Sequence, residues 1–277
     1  MKRKGIAQDT LRYMQQGYYE LNGRLVDFAA AQHDSEDNSV LITPEQGAEL
    51  VRNCMPPSTG KLAEQTVANE ATVQAILDWA RAGTERVGVL NFASAKNPGG
   101  GFLNGAMAQE ESLAASSGLY ATQLRHEGYY RANRACQSMM YTDHAIYSPD
   151  VVFFRDKRFE LLEQPVTASV LTLPAVNYGQ VLLKGEDPEQ AKRVMQDRMR
   201  LALAIFANRG DRNLVLGAYG CGVFRNDPEL VAGWWHDLLL KEGYGRFFER
   251  IVYAVLDRSK DGTCIRAFDS RFGSQVG

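Results

Sequence analysis

Short, almost continuously apolar stretches separated by helical patterns constrain the fold of this chain more than any other feature. The clearest of these stretches are Arg86–Phe92, Ala168–Leu173, Asn213–Gly217 and Arg250–Leu256. Such stretches are typical of strands that are buried on both faces of a sheet. Helical patterns lie between them at Met107–Gly118, at Pro188–Asn208 and after Asp227. Strands that alternate with helices predict an α/β fold with a largely parallel sheet.

The first third of the chain is predicted to form helices around short strands. The helices are expected at Lys2–Gln16, Thr43–Asn53 and Asn69–Gly83, and a short strand is expected at Asn38–Ile42. Thr43 suits the N-cap of its helix and Pro44 suits the first helical position. In the middle of the chain, Met139–Phe154 is predicted as short strands joined by turns. No repeat or linker interrupts the chain, so we expect one domain over residues 1–277, with 1–85 as an N-terminal elaboration and 86–277 as the core.

The charge balance and the lengths of the apolar stretches exclude several classes of partner. The chain of 277 residues has 31 Lys and Arg against 33 Asp and Glu, a formal net charge of −2. Proteins that bind duplex nucleic acid usually carry a basic excess. We therefore expect no direct sequence-specific nucleic-acid binding. The longest apolar stretches fall short of the ~20 residues that span a bilayer, so no membrane association is expected.

The cysteines and histidines predict neither disulfides nor a metal site. Cys54, Cys136, Cys221 and Cys264 are scattered and form no CxxC pair. The four histidines show no metal-ligand spacing with each other or with the cysteines. The basic segment Met1–Lys4 is not followed by the apolar core of a signal peptide. We therefore expect a cytoplasmic protein in a reducing environment, with no metal and no cofactor.

Two glycine-rich loops follow predicted buried strands. We call Asn97–Gly101 the first glycine loop and Gly217–Arg225 the second glycine loop. Glycine is favoured where the backbone approaches a ligand or adopts a positive φ, and a plain tight turn is the alternative. Loops that follow strands are the usual ligand sites of open α/β folds, and successive N–H groups in such loops suit a diphosphate.

Neither glycine loop matches the common nucleotide-binding motifs. No Gly-Lys-Ser/Thr follows the glycines, which disfavours a P-loop ATPase. Gly99, Gly100 and Gly101 are contiguous rather than spaced as in GxGxxG, which disfavours a nicotinamide dehydrogenase. Just after the first glycine loop, Gln109, Glu110 and Glu111 begin a predicted helix. Acidic residues in the first turn of a helix are commonly solvent-exposed and stabilised there by the helix dipole. These two, however, follow the first glycine loop by only a few residues, so their side chains can reach the same ligand cleft as that loop.

The order and spacing of these motifs resemble the signature of the poly(ADP-ribose) glycohydrolases. That signature consists of three glycines, a spacer, here Phe102–Ala108, and then Gln-Glu-Glu. The chain is similar to the smaller, bacterial-type members of the family. The resemblance extends along nearly the whole chain, with support from Val89–Ala93, Tyr147–Val151 and Gly220–Phe224. It implies a macrodomain-like three-layer α/β/α sandwich with a mixed central sheet and an N-terminal helical extension.

The resemblance also implies an activity and its partners. The expected reaction is hydrolysis of the ribose–ribose O-glycosidic bonds of poly(ADP-ribose), which releases ADP-ribose and needs no cofactor. The expected partners are poly(ADP-ribose), ADP-ribose and ADP-ribosylated proteins, and the expected state is a monomer.

Individual residues receive roles from the same resemblance. Adjacent helix residues point ~100° apart, so Glu110 and Glu111 cannot flank one glycosidic bond as the usual carboxylate pair does. The family implies that Glu111 is the general acid and base and that Glu110 positions sugar hydroxyls. Phe268 or Phe272 would stack on the adenine. The implied substrate-binding residues are Asn97, Gly99, Gly100, Gly101, Gln109, Gly220, Cys221, Gly222, Val223 and Phe224, with Phe224 near the distal ribose.

Alternative functions remain open from the sequence. A non-catalytic ADP-ribose-binding macrodomain shares the fold and both glycine loops, but it has no use for the acidic pair. A mono(ADP-ribosyl) hydrolase is poorly separated from a polymer-cleaving enzyme. A generic nucleotide-binding α/β enzyme is disfavoured by the absence of its usual motifs.

Overall fold

A seven-stranded mixed sheet forms the centre of the protein, in a computed structural model that describes residues 3–273. In spatial order the strands are β3 (Val40–Ile42), β6 (Ala145–Arg155), β7 (Leu161–Leu173), β5 (Val87–Phe92), β8 (Asn213–Leu216), β9 (Arg250–Ala254) and β4 (Glu64–Ala68). From β7 to β4 neighbouring strands are parallel, whereas β6 is antiparallel to both β7 and β3. This mixed sheet confirms the predicted fold class.

Helices cover both faces of the sheet. Neighbouring residues of β5 point to opposite faces, as the period of a strand requires. Val89 belongs to one core cluster with Leu113, and Leu90 belongs to another with Met195 and Trp235. The helices are α1 (Arg3–Gln16), α2 (Ala29–Asp37), α3 (Pro44–Asn53), α4 (Thr72–Arg81), α5 (Gln109–Ser116), α6 (Leu119–Leu124), α7 (Glu127–Ala135), α8 (Tyr178–Leu183), α9 (Pro188–Arg209), α10 (Pro228–His236) and α11 (Thr263–Phe272). Two helical layers around one sheet make the three-layer sandwich.

The first 85 residues contribute strands as well as helices. A two-stranded hairpin, β1 (Tyr18–Leu21) and β2 (Arg24–Asp27), follows α1. Strands β3 and β4 form the two edges of the central sheet. The proposed boundary at residue 85 therefore does not correspond to a boundary in the sheet, because pairing with β6 and β9 brings distant segments together.

The predicted helix start at Thr43 is confirmed in detail. The Thr43 hydroxyl accepts from the N–H of Gln46, and the Gln46 side chain accepts from the N–H of Thr43. This reciprocal pair is a capping box, with Pro44 at the first position of α3.

One predicted region differs in the structure. Met139–Phe154 was expected to form short strands with turns, but most of it lies in the single long strand β6. The register of β6 on β7 shifts between Ser148 and Val151, and Asp150 there has a φ of 46°. A bulge of this kind places turn-like residues inside a strand. Among the helices of residues 3–273, none is both long and apolar enough to cross a membrane.

Candidate active site

A cleft of about 760 Å³ opens between the two glycine loops, where β5 and β8 end. Such loops at the carboxyl ends of parallel strands are the expected ligand-binding position. We call this space the main cleft. Most of the predicted site residues line it, namely Asn97, Gly100, Gly101, Gln109, Glu110, Glu111, Gly220, Gly222, Val223 and Phe224.

The first glycine loop is shaped by backbone conformations that favour glycine. Gly99 and Gly100 have φ values of 62° and 59°, in the left-handed region. A Cβ atom on Gly100 would lie 2.5 Å from Glu111 Oε1 and 3.1 Å from Glu110 Oε2. The absence of a side chain at this position therefore lets the loop lie directly against both carboxylates.

Glu110 is a buried carboxylate that is held by three donors. Its Oε2 accepts from the N–H of Ser94 at 2.6 Å. Its Oε1 accepts from Asn91 Nδ2 at 3.1 Å and from Gln123 Nε2 at 3.0 Å. Burial raises the pKa of Glu110 to about 7, and the three hydrogen bonds oppose that rise only in part. The group therefore titrates close to neutral pH.

Glu111 joins the first glycine loop to the start of α5. Its Oε1 accepts from the N–H of Gly101 at 2.9 Å, and its Oε2 accepts from the N–H of Ala108 at 3.0 Å. The N–H groups at the start of a helix have no partner within the helix, so the contact with Ala108 supplies an acceptor that the backbone of α5 does not. Unlike Glu110, Glu111 is only partly buried. Its carboxylate therefore lines the main cleft, and its two hydrogen bonds are made to residues at the edge of that cleft.

Gln109 lines the main cleft, but its amide group is bound to the sheet. Its Oε1 accepts from the N–H of Phe92 at 2.9 Å, and its Nε2 donates to the carbonyl of Leu90 at 2.8 Å. The side chain thus continues the hydrogen bonding of β5 beyond its paired region. The amide of Gln109 thus fixes α5 on the sheet, and because the residue lines the main cleft its substrate-binding role stays a prediction.

The N–H groups of the first glycine loop are already bonded within the protein. Gly99 donates to Gln123 Oε1 at 2.8 Å, Gly100 donates to the carbonyl of Asn97 at 3.0 Å, and Gly101 donates to Glu111. Gly99 and Gly100 therefore have no unbonded N–H group to offer a diphosphate, and the prediction that the Gly99–Gly101 backbone holds it stays a prediction. Only the Gly101 N–H is held by a side chain that itself faces the main cleft.

The second glycine loop presents its N–H groups differently. Within residues 3–273, the N–H groups of Gly222, Val223 and Phe224 donate to no protein acceptor. Gly220 has a φ of 72°, and its carbonyl accepts from Asn226 Nδ2 at 3.0 Å. Three successive unbonded N–H groups beside a cleft form a concavity that suits a diphosphate.

A second cleft of about 440 Å³ adjoins the main cleft. The two clefts are neighbours, because five residues line both of them: Phe92, Ala108, Gln109, Ala218 and Gly222. Of the predicted site residues, Cys221 lines this second cleft rather than the main one. Gly222, the next residue, lines both clefts.

The prediction that Phe268 or Phe272 stacks on the adenine is wrong. Phe268 is fully buried, and Phe272 is 8% exposed with its ring stacked on Tyr253 at a centroid distance of 4.2 Å. Neither residue lines the main cleft or the second cleft. The segment that contains them forms α11, and its apolar face packs on β9 as part of the core.

Several residues of the site were not found by sequence reasoning. Asn91, Ser94, Gln123 and Thr172 surround Glu110 or support its partners. Asn91 could have been predicted from the sequence, since it is the one amide within the apolar stretch of β5. Gln123 could not have been predicted, because a lone glutamine on a short helix is ordinarily at the surface. In the part of the chain that the structure describes, no group of three or more His, Cys, Asp or Glu side chains is placed to hold a metal ion.

Comparisons with known proteins agree with this geometry. A family model described as "Microbial-type PARG, catalytic domain" matches residues 7–156. The crystal structure of poly(ADP-ribose) glycohydrolase from Thermomonospora curvata is 40% identical, with a TM-score of 0.93 over 98% of this chain and 99% of that one. The same enzyme bound to the inhibitor ADP-HPD is 39% identical with a TM-score of 0.90, again over 98% and 99% of the two chains.

A third structure comes from another organism. Poly(ADP-ribose) glycohydrolase from Deinococcus radiodurans in complex with ADP-ribose is 39% identical, with a TM-score of 0.82 over 93% of this chain and 100% of that one. No curated protein matches this chain.

Proposed function

This chain belongs to the microbial-type poly(ADP-ribose) glycohydrolase family, and we propose that Glu111 carries out the proton transfers of its reaction. The enzyme hydrolyses the ribose–ribose O-glycosidic bonds of poly(ADP-ribose) and releases ADP-ribose. The observation that carries the proposal is the position of Glu111, on the cleft side of α5 and in contact with the first glycine loop.

The two adjacent carboxylates differ in ways that divide their roles. Glu110 is 3% exposed and accepts three hydrogen bonds from the protein. One of its oxygens, Oε2, accepts only from Ser94 and lies against Gly100, at the cleft. A carboxylate oxygen has more than one acceptor position, so this oxygen keeps one for a ribose hydroxyl. Ionised Glu110 therefore orients the sugar, and kcat/KM should rise as pH increases through about 7.

The diphosphate is proposed to bind the second glycine loop and Gly101. The unbonded N–H groups of Gly222, Val223 and Phe224 supply donors from one side of the main cleft. When a phosphate oxygen accepts from the N–H of Gly101, Glu111 Oε1 loses that donor. The exchange leaves Oε1 free to carry the proton that the leaving group requires.

The chemical step then follows from general acid and base catalysis. Glu111 donates its proton to the ribose oxygen as the bond between that oxygen and the anomeric carbon breaks. The anomeric carbon becomes oxocarbenium-like, and the diphosphate beside it stabilises the positive charge. Glu111, now a carboxylate, takes a proton from a water that attacks the anomeric carbon. One water is consumed, Glu111 is protonated again, and ADP-ribose and a shortened polymer are the products.

The adenosine part of the ligand is proposed to lie in the second cleft. This cleft adjoins the main cleft at the second glycine loop, where Ala218 and Gly222 line both, so a diphosphate held by that loop would lie between the two. Its walls include the apolar side chains of Val73, Phe92 and Val255. Polar walls that include Glu70, Asp257 and Arg258 lie beside them. Apolar side chains together with polar groups suit an adenine ring, which Phe268 and Phe272 cannot contact from the core.

We also propose that the enzyme acts as a monomer in the cytoplasm on polymer carried by ADP-ribosylated proteins. One chain contains both glycine loops and both carboxylates, so the proposed site needs no second copy. Cys54, Cys136, Cys221 and Cys264 are free thiols, which suits a reducing compartment. Sedimentation of the purified protein and fractionation of cells test these two statements.

The proposed role of Glu111 is tested with purified poly(ADP-ribose). Glu111→Gln keeps the size of the side chain but removes the ionisable group, and general acid–base catalysis typically contributes ~10²–10⁴-fold. We expect release of free ADP-ribose, measured by chromatography, to fall by at least about 100-fold. Calorimetry should show that ADP-ribose still binds.

Glu45→Gln is the matched control for this experiment. Glu45 also lies in the first turn of a helix, α3, but it is exposed and lies outside the main cleft. Its turnover should equal that of the wild type. If Glu111→Gln retained most of the wild-type turnover, another group would have to be the acid.

A further inference from the structure

Gln123 connects the first glycine loop to Glu110. It lies on the short helix α6 and is fully buried. Its Oε1 accepts from the N–H of Gly99 at 2.8 Å, while its Nε2 donates to Glu110 Oε1 at 3.0 Å and to Thr172 Oγ1 at 3.3 Å. One side chain therefore contacts both the loop that adjoins the main cleft and the carboxylate on its floor.

The orientation of the Gln123 amide is determined by these contacts. If the amide were flipped, its NH₂ group would face the N–H donor of Gly99 and its oxygen would face the carboxylate of Glu110. Both contacts would then be repulsive, since each would pair two donors or two acceptors. A buried amide with all its groups bonded is rigid, because breaking any one bond leaves an unpaired polar group.

We propose that Gln123 is a positioning residue for the glycohydrolase reaction, holding Glu110 in register with the first glycine loop. The inference rests on the proposed role of Glu110 in orienting the ribose. The first glycine loop and Glu110 belong to different segments of the chain, and catalysis requires that both hold a fixed position relative to the scissile bond. Misplacement of about 1 Å can cost on the order of 100-fold in rate, so a side chain that links the two has a direct effect on turnover.

The contact with Gln123 also affects the ionisation of Glu110. The Nε2–H donor lowers the pKa of Glu110 and opposes the larger effect of burial. Other titratable groups face Glu110 as well. Tyr129 and Tyr130 of α7 have pKa values raised by burial and stay neutral, and the neighbouring Glu111 carboxylate raises the pKa of Glu110. Loss of the Gln123 donor therefore shifts the titration of Glu110 to higher pH.

Gln123→Met tests the proposal because methionine has nearly the same shape but cannot hydrogen-bond to Glu110. We expect kcat to fall by about tenfold to 100-fold. The midpoint of the kcat/KM profile, which reports groups of the free enzyme, should move up by about one pH unit, as expected for a lost hydrogen bond to a charged group. The same midpoint should be absent in Glu110→Gln, which identifies the titrating group.

Gln32→Met is the matched control. Gln32 is a buried glutamine on α2 that donates to the carbonyl of Gly118 at 3.2 Å, next to the start of α6. Its replacement loosens the support of α6 without removing a contact to Glu110. We expect a lower Tm and an unchanged pH midpoint. If both variants lost activity in proportion to their Tm, with the midpoint unmoved in each, Gln123 would be a structural residue only.

Gln123→Glu keeps the experiment decisive if the methionine variant does not fold. The new carboxyl group retains an acceptor for the N–H of Gly99 and replaces the donor to Glu110 with a like charge. The midpoint should then move further upward than in Gln123→Met, and an unchanged midpoint would overturn the proposal. These outcomes are read from an enzyme that retains Glu111, so they are separate from the test of Glu111→Gln.

Discussion

Among residues 3–273, each end of the central sheet has one buried acid, and of these two Glu110 lines the main cleft whereas Asp211 lines neither the main cleft nor the second cleft. Glu110 lies where β5 ends, on the floor of the main cleft. Asp211 lies just before β8 at the opposite end, where it accepts from the Tyr147 hydroxyl at 2.9 Å. Burial raises the pKa of both groups to about 7. A raised pKa therefore reports burial, and the chemistry depends on what can reach the group.

Each acid also lies against a glycine. A Cβ atom on Gly100 would contact the carboxylates of the site, and a Cβ atom on Gly88 would lie 2.9 Å from Asp211 Cγ and 2.7 Å from Phe206 Cδ1. At the first position the space next to the glycine belongs to a cleft, and at the second it belongs to the core. Equivalent substitutions at the two ends should thus affect different properties: ligand binding and turnover at the cleft end, and stability at the core end.

The largest expected effect is on the pH dependence of stability. Both folded-state pKa values lie above the unfolded values, so the folded state binds more protons and stability falls as pH rises from about 4 to about 7. Each acid accounts for a loss of about 3–4 kcal/mol over this range. Glu110→Gln and Asp211→Asn should each flatten the profile by that amount, measured by urea denaturation at several pH values. A profile that kept its full slope in either variant would contradict the assignment for that acid.

Turnover should separate the same two variants. Glu110→Gln removes the carboxylate that orients the ribose and should lower kcat by about 100-fold. Asp211→Asn changes a group remote from both clefts and should leave kcat within about twofold of the wild type. Assays on poly(ADP-ribose) at one pH compare them directly. Equal losses in the two variants would mean that a general loss of structure, and not ribose positioning, explains the effect of Glu110.

Substitutions of Gly88 and Gly100 should have smaller effects, on stability for Gly88 and on ADP-ribose affinity for Gly100. Gly88→Ala overpacks the core against Phe206 and should destabilise the fold by about 1–3 kcal/mol with ADP-ribose affinity retained. Gly100→Ala forces a methyl group toward Glu111 at a φ of 59° and should weaken ADP-ribose binding by about tenfold or more. Calorimetry and thermal unfolding of both variants measure the two effects. Unchanged affinity in a folded Gly100→Ala protein would show that the first glycine loop is not part of the ligand site.

The smallest effect is expected for Phe224. This residue lines the main cleft, is only partly buried and packs near Tyr141 at a ring centroid distance of 6.1 Å. Phe224→Ala should lower kcat/KM several-fold through loss of contact with the distal ribose, while costing less stability than the ~3–5 kcal/mol of a core phenylalanine. Phe206→Ala, at the opposite end of the sheet, is the control for a core residue. If both variants were equally destabilised, Phe224 would be structural.

Local sequence patterns determined much of this protein. The buried strands β5, β7, β8 and β9, the start of α3 at Thr43 and the positions of both glycine loops follow from residues close together in the chain. The adjacency of Glu110 and Glu111 also follows directly, and with it their difference in direction on a helix. These features are predictable because strand burial, helix capping and helix geometry depend on spacing over a few residues.

Only the tertiary structure decided which groups meet. Gln123 reaches Glu110 and Gly99 through the packing of α6 against the sheet, and no local pattern encodes that contact. In the same way, pairing of β3 and β4 with distant strands places N-terminal residues at both sheet edges. Phe268 is likewise buried because α11 packs on β9. Contacts between segments far apart in the chain depend on the combined packing of many side chains, so residue type alone cannot specify them.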